Sequence, residues 1–125
     1  MNRLFKTRHF ARWLRKSPLS DADLLRAVDE MARGLIDADL GGGVFKKRVA
    51  PPGQGKSGGV RILVATKREE RWFFVYGFEK NDRANITPGE LPALQDLASD
   101  LLGLSNARLA ADLAEGRLEE ISHER

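Results

Sequence analysis

No cysteine occurs in this 125-residue chain. That excludes a disulfide framework, a thiol nucleophile and a cysteine-held zinc or iron–sulfur centre. Histidine is almost as scarce, and His9 and His123 stand too far apart in sequence to suggest a metal cluster. No apolar run approaches the roughly 20 residues that span a bilayer, so no membrane partner is expected. The basic opening stretch, MNRLFKTRHFARWLRK, lacks a continuous apolar segment and a small-residue cleavage site, and so does not read as a signal peptide. The expectation is a cytoplasmic protein with no cofactor and no metal. Its length suits a single domain over residues 1–125, large enough to bury one core without staples.

What the chain does have is an uneven distribution of charge. The net charge of +3 conceals a basic part, residues 1–83, with 18 Lys and Arg against 10 Asp and Glu. Residues 84–125 are acidic, with 3 against 8. Such asymmetry suggests nucleic-acid contact by the basic part, although a solvated surface would look the same by charge alone.

Residues 3–16 place Leu4, Phe5, Phe10, Trp13 and Leu14 near helical spacing, with Lys6, Arg8, Arg12, Arg15 and Lys16 opposite them. A short strand over Asn2–Phe5 is the alternative start. Ser17-Pro18 breaks the pattern. Ser20 reads as an N-cap, followed by Asp21 and Asp23 in the first turn of a second helix that runs to about residue 36. Gly41-Gly42-Gly43 closes this helical half. Strands follow at Val44–Ala50, Val60–Lys67 and Arg71–Phe78, and their short connections favour antiparallel pairing in a β-meander. Thr87-Pro88-Gly89-Glu90 opens a helix that Gly103 stops, and Ser105 opens another that runs to about Glu115. Arg117–Ser122 is a strand or a tail. The expected class is α+β: two N-terminal helices on a small antiparallel meander, then one or two C-terminal helices.

Ala50-x-x-x-x-Gly55-Lys56-Ser57 fits a relaxed phosphate-loop pattern. That chemistry needs a loop running from a strand into a helix whose N-terminus cradles phosphates. Here Val60-Arg61-Ile62-Leu63-Val64 follows, a strand with no helical periodicity, so the segment reads as a hairpin loop. Lys56 within it would touch a backbone phosphate as a mobile cation.

Basic residues lie inside the strands as well as at their ends. Alternation puts Val44, Lys46 and Arg48 on one face and Phe45, Lys47 and Val49 on the other. With Val60, Ile62 and Val64 turned to the helices, Arg61 joins Lys46 and Arg48 on the outer face. The strand 71–78, apolar on both faces, belongs in the centre and delivers Lys80 and Arg83 to its exit. Tyr76 and Phe78 offer either core packing or an aromatic surface for base stacking. The two readings of the group are an anion-binding face and a solvated sheet face, with Lys47 snorkelling along it and Arg83 paired or capping. Glu69-Glu70 and Glu119-Glu120 carry no pocket signal and read as surface charges.

Three segments in this order, DADLGGGVFKKRVA from Asp37, GKSGGVR from Gly55 and FVYGFEKN from Phe74, resemble the RelE/HigB-like toxins of bacterial type II toxin–antitoxin systems, within the RelE/ParE superfamily. The resemblance covers about residues 3–104, leaving 105–125 as a C-terminal helix and tail. It implies two N-terminal helices against a small antiparallel sheet with a helix after it. It also implies a metal-independent, ribosome-dependent mRNA endonuclease in the cytoplasm of a bacterium, neutralised by a cognate antitoxin with a helix-turn-helix DNA-binding fold. In such toxins the ribose 2′-OH attacks the adjacent phosphodiester, so fixed cations and an in-line substrate are the main contributions of the protein. Carried across, Lys46 and Arg48 match the basic pair of the first long strand, Arg61 the arginine after the glycine hairpin and Lys80 the basic residue beyond the last strand. Arg61 is then expected at the transition-state phosphate, Lys46 or Arg48 in the general-base region, and Lys80 as acid or phosphate ligand. Lys47, Lys56, Arg83 and Tyr76 are the further RNA-binding candidates. The chain departs from the family pattern in having no His or Tyr evident near the C-terminal end of the site, so a lysine acting as base would need its pKa lowered by neighbouring cations. Two other readings belong to the same superfamily fold: a ParE-like inhibitor of DNA gyrase, and a catalytically degenerate toxin acting as a binding partner. Converging cations on the strands favour the nuclease.

Overall fold

Near-continuous apolar runs at residues 60–66 and 71–79 are the mark of strands covered on both faces. The computed structural model, which describes residues 2–50, 59–83 and 85–122, puts both runs inside a six-stranded sheet. In chain order the elements are β1 (Arg3–Thr7), α1 (Arg8–Leu14), α2 (Asp21–Ala32), β2 (Ala38–Gly41), β3 (Val44–Val49), β4 (Val60–Thr66), β5 (Arg71–Glu79), α3 (Leu91–Leu102), α4 (Asn106–Ala114) and β6 (Leu118–Ile121). The strands lie in the order β2-β3-β4-β5-β1-β6. All neighbours are antiparallel except β1 and β5, which run parallel.

The α+β class stands, but the sheet is larger than a plain meander and is mixed in direction. Residues 3–16 are not one helix. Leu4 and Phe5 sit in β1, fully buried to opposite sides, and Thr7 ends the strand by accepting a hydrogen bond from the Phe10 N–H at 3.1 Å as the N-cap of α1. β1 is inserted between β5 and β6, so long-range pairing outweighed a local spacing that suits a helix. The second helix also ends earlier than its apolar spacing suggests. Gly34, at φ +95°, takes a left-handed conformation after the last turn; its N–H donates to Met31 O, and the Leu35 N–H donates to Glu30 O. This Schellman-type stop leaves Leu35 exposed rather than on the buried stripe. Gly41-Gly42-Gly43 is the turn of the β2–β3 hairpin, not the end of a helical half. Residues 118–121 form the edge strand β6. Thr87 and Glu90 bond each other reciprocally, but over a turn, and α3 proper starts at Leu91.

Helices cover both faces of the sheet. Phe10, Leu14, Leu24, Val28 and Met31 of α1 and α2 pack on Leu4, Ile62, Val64, Trp72 and Phe74. Ala98 and Leu101 of α3 and Leu109 of α4 pack on Phe5, Val44, Leu63, Ala65, Phe73 and Val75. One irregularity governs the site. Val64 pairs with Phe74 but Leu63 pairs with Tyr76, leaving Val75 as an extra residue, a β-bulge. Beyond the bulge the alternation of β5 is reversed. Tyr76 and Phe78 turn to the α3/α4 side, while Gly77 turns to α1, where a Cβ would stand 2.4 Å from the ring of Trp13.

Candidate functional site

Register across β3, β4 and β5 aligns two rows on the α3/α4 face. The first row is Lys46, Leu63, Tyr76; the second is Arg48, Arg61, Phe78. Strands about 4.8 Å apart make each row about 10 Å wide. The helices pack over the opposite end of these strands, at Val44, Ala65 and Phe73.

Arg48 and Arg61 are direct cross-strand partners on one face. Like charges in that position are destabilising. Neither side chain forms an ion pair among the described residues, nor do those of Lys46 or Lys80, although the backbone N–H of Arg48 donates to the Asp37 carboxylate. The Arg61 guanidinium donates to Gly59 O at 3.2 Å, and the Lys80 backbone N–H reaches the same oxygen at 3.5 Å. The exposed turn bearing Lys80 is thus tied to the start of β4 beside Arg61. Lys46 Nζ lies 3.5 Å from the side-chain oxygen of Asn85.

Arg83 is held rather than free. Its Nε donates to Asn85 O at 3.1 Å, one terminal nitrogen donates to the Tyr76 hydroxyl and to Glu90 Oε2 at 3.0 Å each, and the other donates to Glu90 Oε1. The guanidinium also lies 6.0 Å from the Tyr76 ring centre and 5.8 Å from that of Phe78. Donation from Arg83, and then from the Thr87 backbone, lowers the Glu90 carboxyl from 4.5 to about 2. On its other side Tyr76 meets His9, whose ring is parallel within 3° at 5.5 Å. Lys46, Asn85, Arg83, Tyr76 and His9 therefore form one continuous chain of contacts.

The structure brings Lys46, Arg48, Arg61, Tyr76, Lys80 and Arg83 to one end of the sheet. Lys47 departs from them. It points to the α2 face, is buried, and its Nζ lies 2.8 Å from Glu30, so alternation alone separates it from its neighbours. Phe78 is buried as well, and only Tyr76 keeps an accessible ring. Lys56 lies outside the described residues. The glycine-rich segment before Val60 leads into a strand, as its sequence indicates. Asn85, Glu90 and His9 were not foreseen as parts of the site. The Thr87–Glu90 spacing signals a cap, and nothing in the sequence signals that His9 meets Tyr76. Among the described residues no group of three or more His, Cys, Asp or Glu could hold a metal ion, and no helix is long and apolar enough to cross a membrane.

This is a small α+β protein whose two-sided sheet carries, at one end, cations with no ion pair among the described residues. Its family is more specific than that. Residues 2–121 match the model of the RelE toxin of the RelE / RelB toxin-antitoxin system, so the chain belongs to the RelE toxin family. It is a RelE-like toxin, and membership implies an antitoxin as partner. No match is found among the curated proteins.

Proposed function

We propose that this toxin is an endoribonuclease that cuts mRNA on the ribosome in the bacterial cytoplasm, by attack of a ribose 2′-OH on the adjacent phosphodiester. The observation that carries the reading is the direct opposition of Arg48 and Arg61, with Lys46 one row away and no side-chain ion pair on any of the three among the described residues. A fold that keeps like charges in register gives up stability unless an anion satisfies them. In the transition state negative charge grows on the phosphoryl oxygens and the leaving 5′-oxygen, where fixed guanidinium and ammonium groups act most strongly. Arg61 is assigned to the phosphoryl oxygens, Lys46 and Arg48 to the flank where the 2′-OH loses its proton, and Lys80 to the leaving side. Arg83, fixed by Glu90 and Asn85, supports the RNA beside Tyr76. A helix-turn-helix antitoxin would neutralise the toxin.

Induction in bacterial cells with mapping of mRNA 5′ ends tests this, alongside Arg61→Ala. Growth arrest with new ribosome-dependent cuts is expected, and the variant should cut at least about 100-fold more slowly. Arrest with intact mRNA and gyrase-linked DNA breaks would overturn the nuclease in favour of a ParE-like inhibitor.

A further inference from the structure

Residues 1–20 contain no Asp or Glu and six Lys and Arg: Arg3, Lys6, Arg8, Arg12, Arg15 and Lys16. The fold treats the six in two ways. Arg3 and Lys6, in β1, are neutralised by Glu120 at 2.9 Å and by Asp21 at 3.2 Å, with Glu119 also near Lys6. Arg8, Arg12, Arg15 and Lys16 are exposed, and none of them forms an ion pair among the described residues. At 3.6 residues per turn, Arg8, Arg12 and Arg15 stand within about 60° of one another around α1, and Lys16 follows in the next turn. Phe10 and Leu14 take the opposite side and are buried. Like charges three and four positions apart on a helix repel, and a cation in the first turn opposes the helix dipole. α1 itself holds no acidic residue to offset either effect.

The place of this ridge relative to the cation face decides what it can meet. β1 runs parallel to β5 with Lys6 beside Phe74, so α1, which starts directly after β1, lies along the part of β5 beyond the bulge. His9 stacks on Tyr76 there, and Trp13 covers Gly77. Arg61 is the register partner of Phe78, so both basic surfaces belong to the same end of the sheet. They lie on opposite faces of it. Phe10 and Leu14 share a core with Val49, Val60 and Ile62, which alternate with Arg48 and Arg61 and point the other way. Packed layers stand about 10 Å apart, so a single RNA strand in the row of Arg48 and Arg61 leaves the α1 ridge open to a second polyanion.

We infer that the α1 ridge docks the toxin on the ribosomal RNA that surrounds its mRNA substrate. The inference rests on the endoribonuclease reading and assigns its ribosome dependence to a surface separate from the cleaving residues. Arg8 to Arg15 span about 10 Å along the helix, enough to follow a phosphate ridge. Folded RNA presents such ridges and is read mostly by shape and phosphate contact. Arginine forks match phosphate oxygens bidentately, which suits a ridge built mainly of arginine.

The test is binding to bacterial ribosomes free of mRNA, over a salt series, by the wild type and by the triple variant Arg12→Gln, Arg15→Gln, Lys16→Gln. Arg8 is left in place because it ties α1 to Gly116 O at 3.3 Å. The variant should bind roughly 10-fold or more weakly, with a slope of log affinity against log salt shallower by about 2. On ribosome-bound mRNA its KM should rise while kcat stays within about twofold, because only uniform binding is lost. Its thermal midpoint should not fall, since repulsion is removed, and antitoxin binding should be unchanged. A folded variant with wild-type ribosome affinity and salt slope would make the ridge a solvated face and overturn the inference. Lost antitoxin binding with ribosome affinity kept would assign the ridge to the antitoxin and overturn it as well. So would weakening seen only when mRNA is present, which would put the ridge on the substrate. A wild type that binds ribosomes through the ridge yet makes no cuts overturns the nuclease and leaves the docking surface standing.

Discussion

A guanidinium held at once by Asn85, Tyr76 and Glu90 needs little rearrangement when substrate arrives. Pre-placement of this kind is how a charged group acts without paying reorganisation at the moment of reaction. Glu90 is the other half of the device, and its carboxyl is lowered from 4.5 to about 2 first by donation from Arg83 and then by the Thr87 backbone N–H. Because the folded chain holds the carboxylate form more firmly than the unfolded chain, this stabilisation is fully present above about pH 4.5. It is lost as pH falls from about 4.5 to about 2. Glu90→Gln is therefore expected to unfold at a lower urea midpoint than the wild type near neutral pH. The gap should close through that acidic window, and a gap that stays constant to pH 2 would contradict the ion pair as its source. At this scale the sequence was partly legible. Alternation alone placed Lys46, Arg48 and Arg61 together, because strand geometry is local. The partners of Arg83 were not legible beyond the cap spacing at Glu90, and His9 was hidden because its neighbour is 67 positions away.

Among the elements, β5 and α1 meet through Phe10 on Phe74 and His9 on Tyr76, and most tightly where Gly77 lies under Trp13. Gly77 does not have a positive φ, so alanine there meets no backbone obstacle. Its Cβ would, however, stand 2.4–2.6 Å from three ring carbons of Trp13. Gly77→Ala should cost about 1–3 kcal/mol, read from the denaturant midpoint. Combined with Trp13→Ala, it should cost less than the sum of the two single changes, because the clash then has no partner. Strands β3, β4 and β5 were readable because each is a bounded run of strand-forming residues. β1 was readable only as the alternative strand over Asn2–Phe5, because five residues followed directly by a helix carry no turn signal between them. β2 escaped notice, since ADLG has little strand propensity and is held by its hairpin with β3.

Across the whole molecule, charge is sorted rather than spread. Among the described residues, no carboxylate of the acidic C-terminal part pairs with the cations on β3 and β4. Glu120 pairs with Arg3 at 2.9 Å, and Glu119 lies 3.8 Å from Lys6, so edge strand β6 neutralises β1 instead. Glu90 is taken by Arg83 and Asp112 by Arg117. On β3 and β4, Lys46, Arg48 and Arg61 have no ion pair among the described residues. The cost of their repulsion should be measurable. Arg48→Thr removes one member of the opposed pair and is expected to raise the thermal midpoint by about 1–4 °C at low salt, corresponding to roughly 0.2–1 kcal/mol. The gain should shrink as salt screens the repulsion. The same variant should bind RNA more weakly, with a slope of log affinity against log salt shallower by about 0.7. Stabilisation with undiminished RNA binding would remove Arg48 from the interface.

The extra residue in β5 has a consequence for how this surface is encoded. If the strand kept its length but paired regularly, with no bulge at Val75, every side chain would remain in the chain, yet the two sides would exchange what they display. The phenol would be driven under α1, into space that Trp13 fills, and the glycine would face the cations in its place. Removing Val75 would instead close the bulge and leave Tyr76 opposite Leu63 and Gly77 opposite Ile62, as they are now. Composition is thus a poor guide to this patch, and local pairing is the better one.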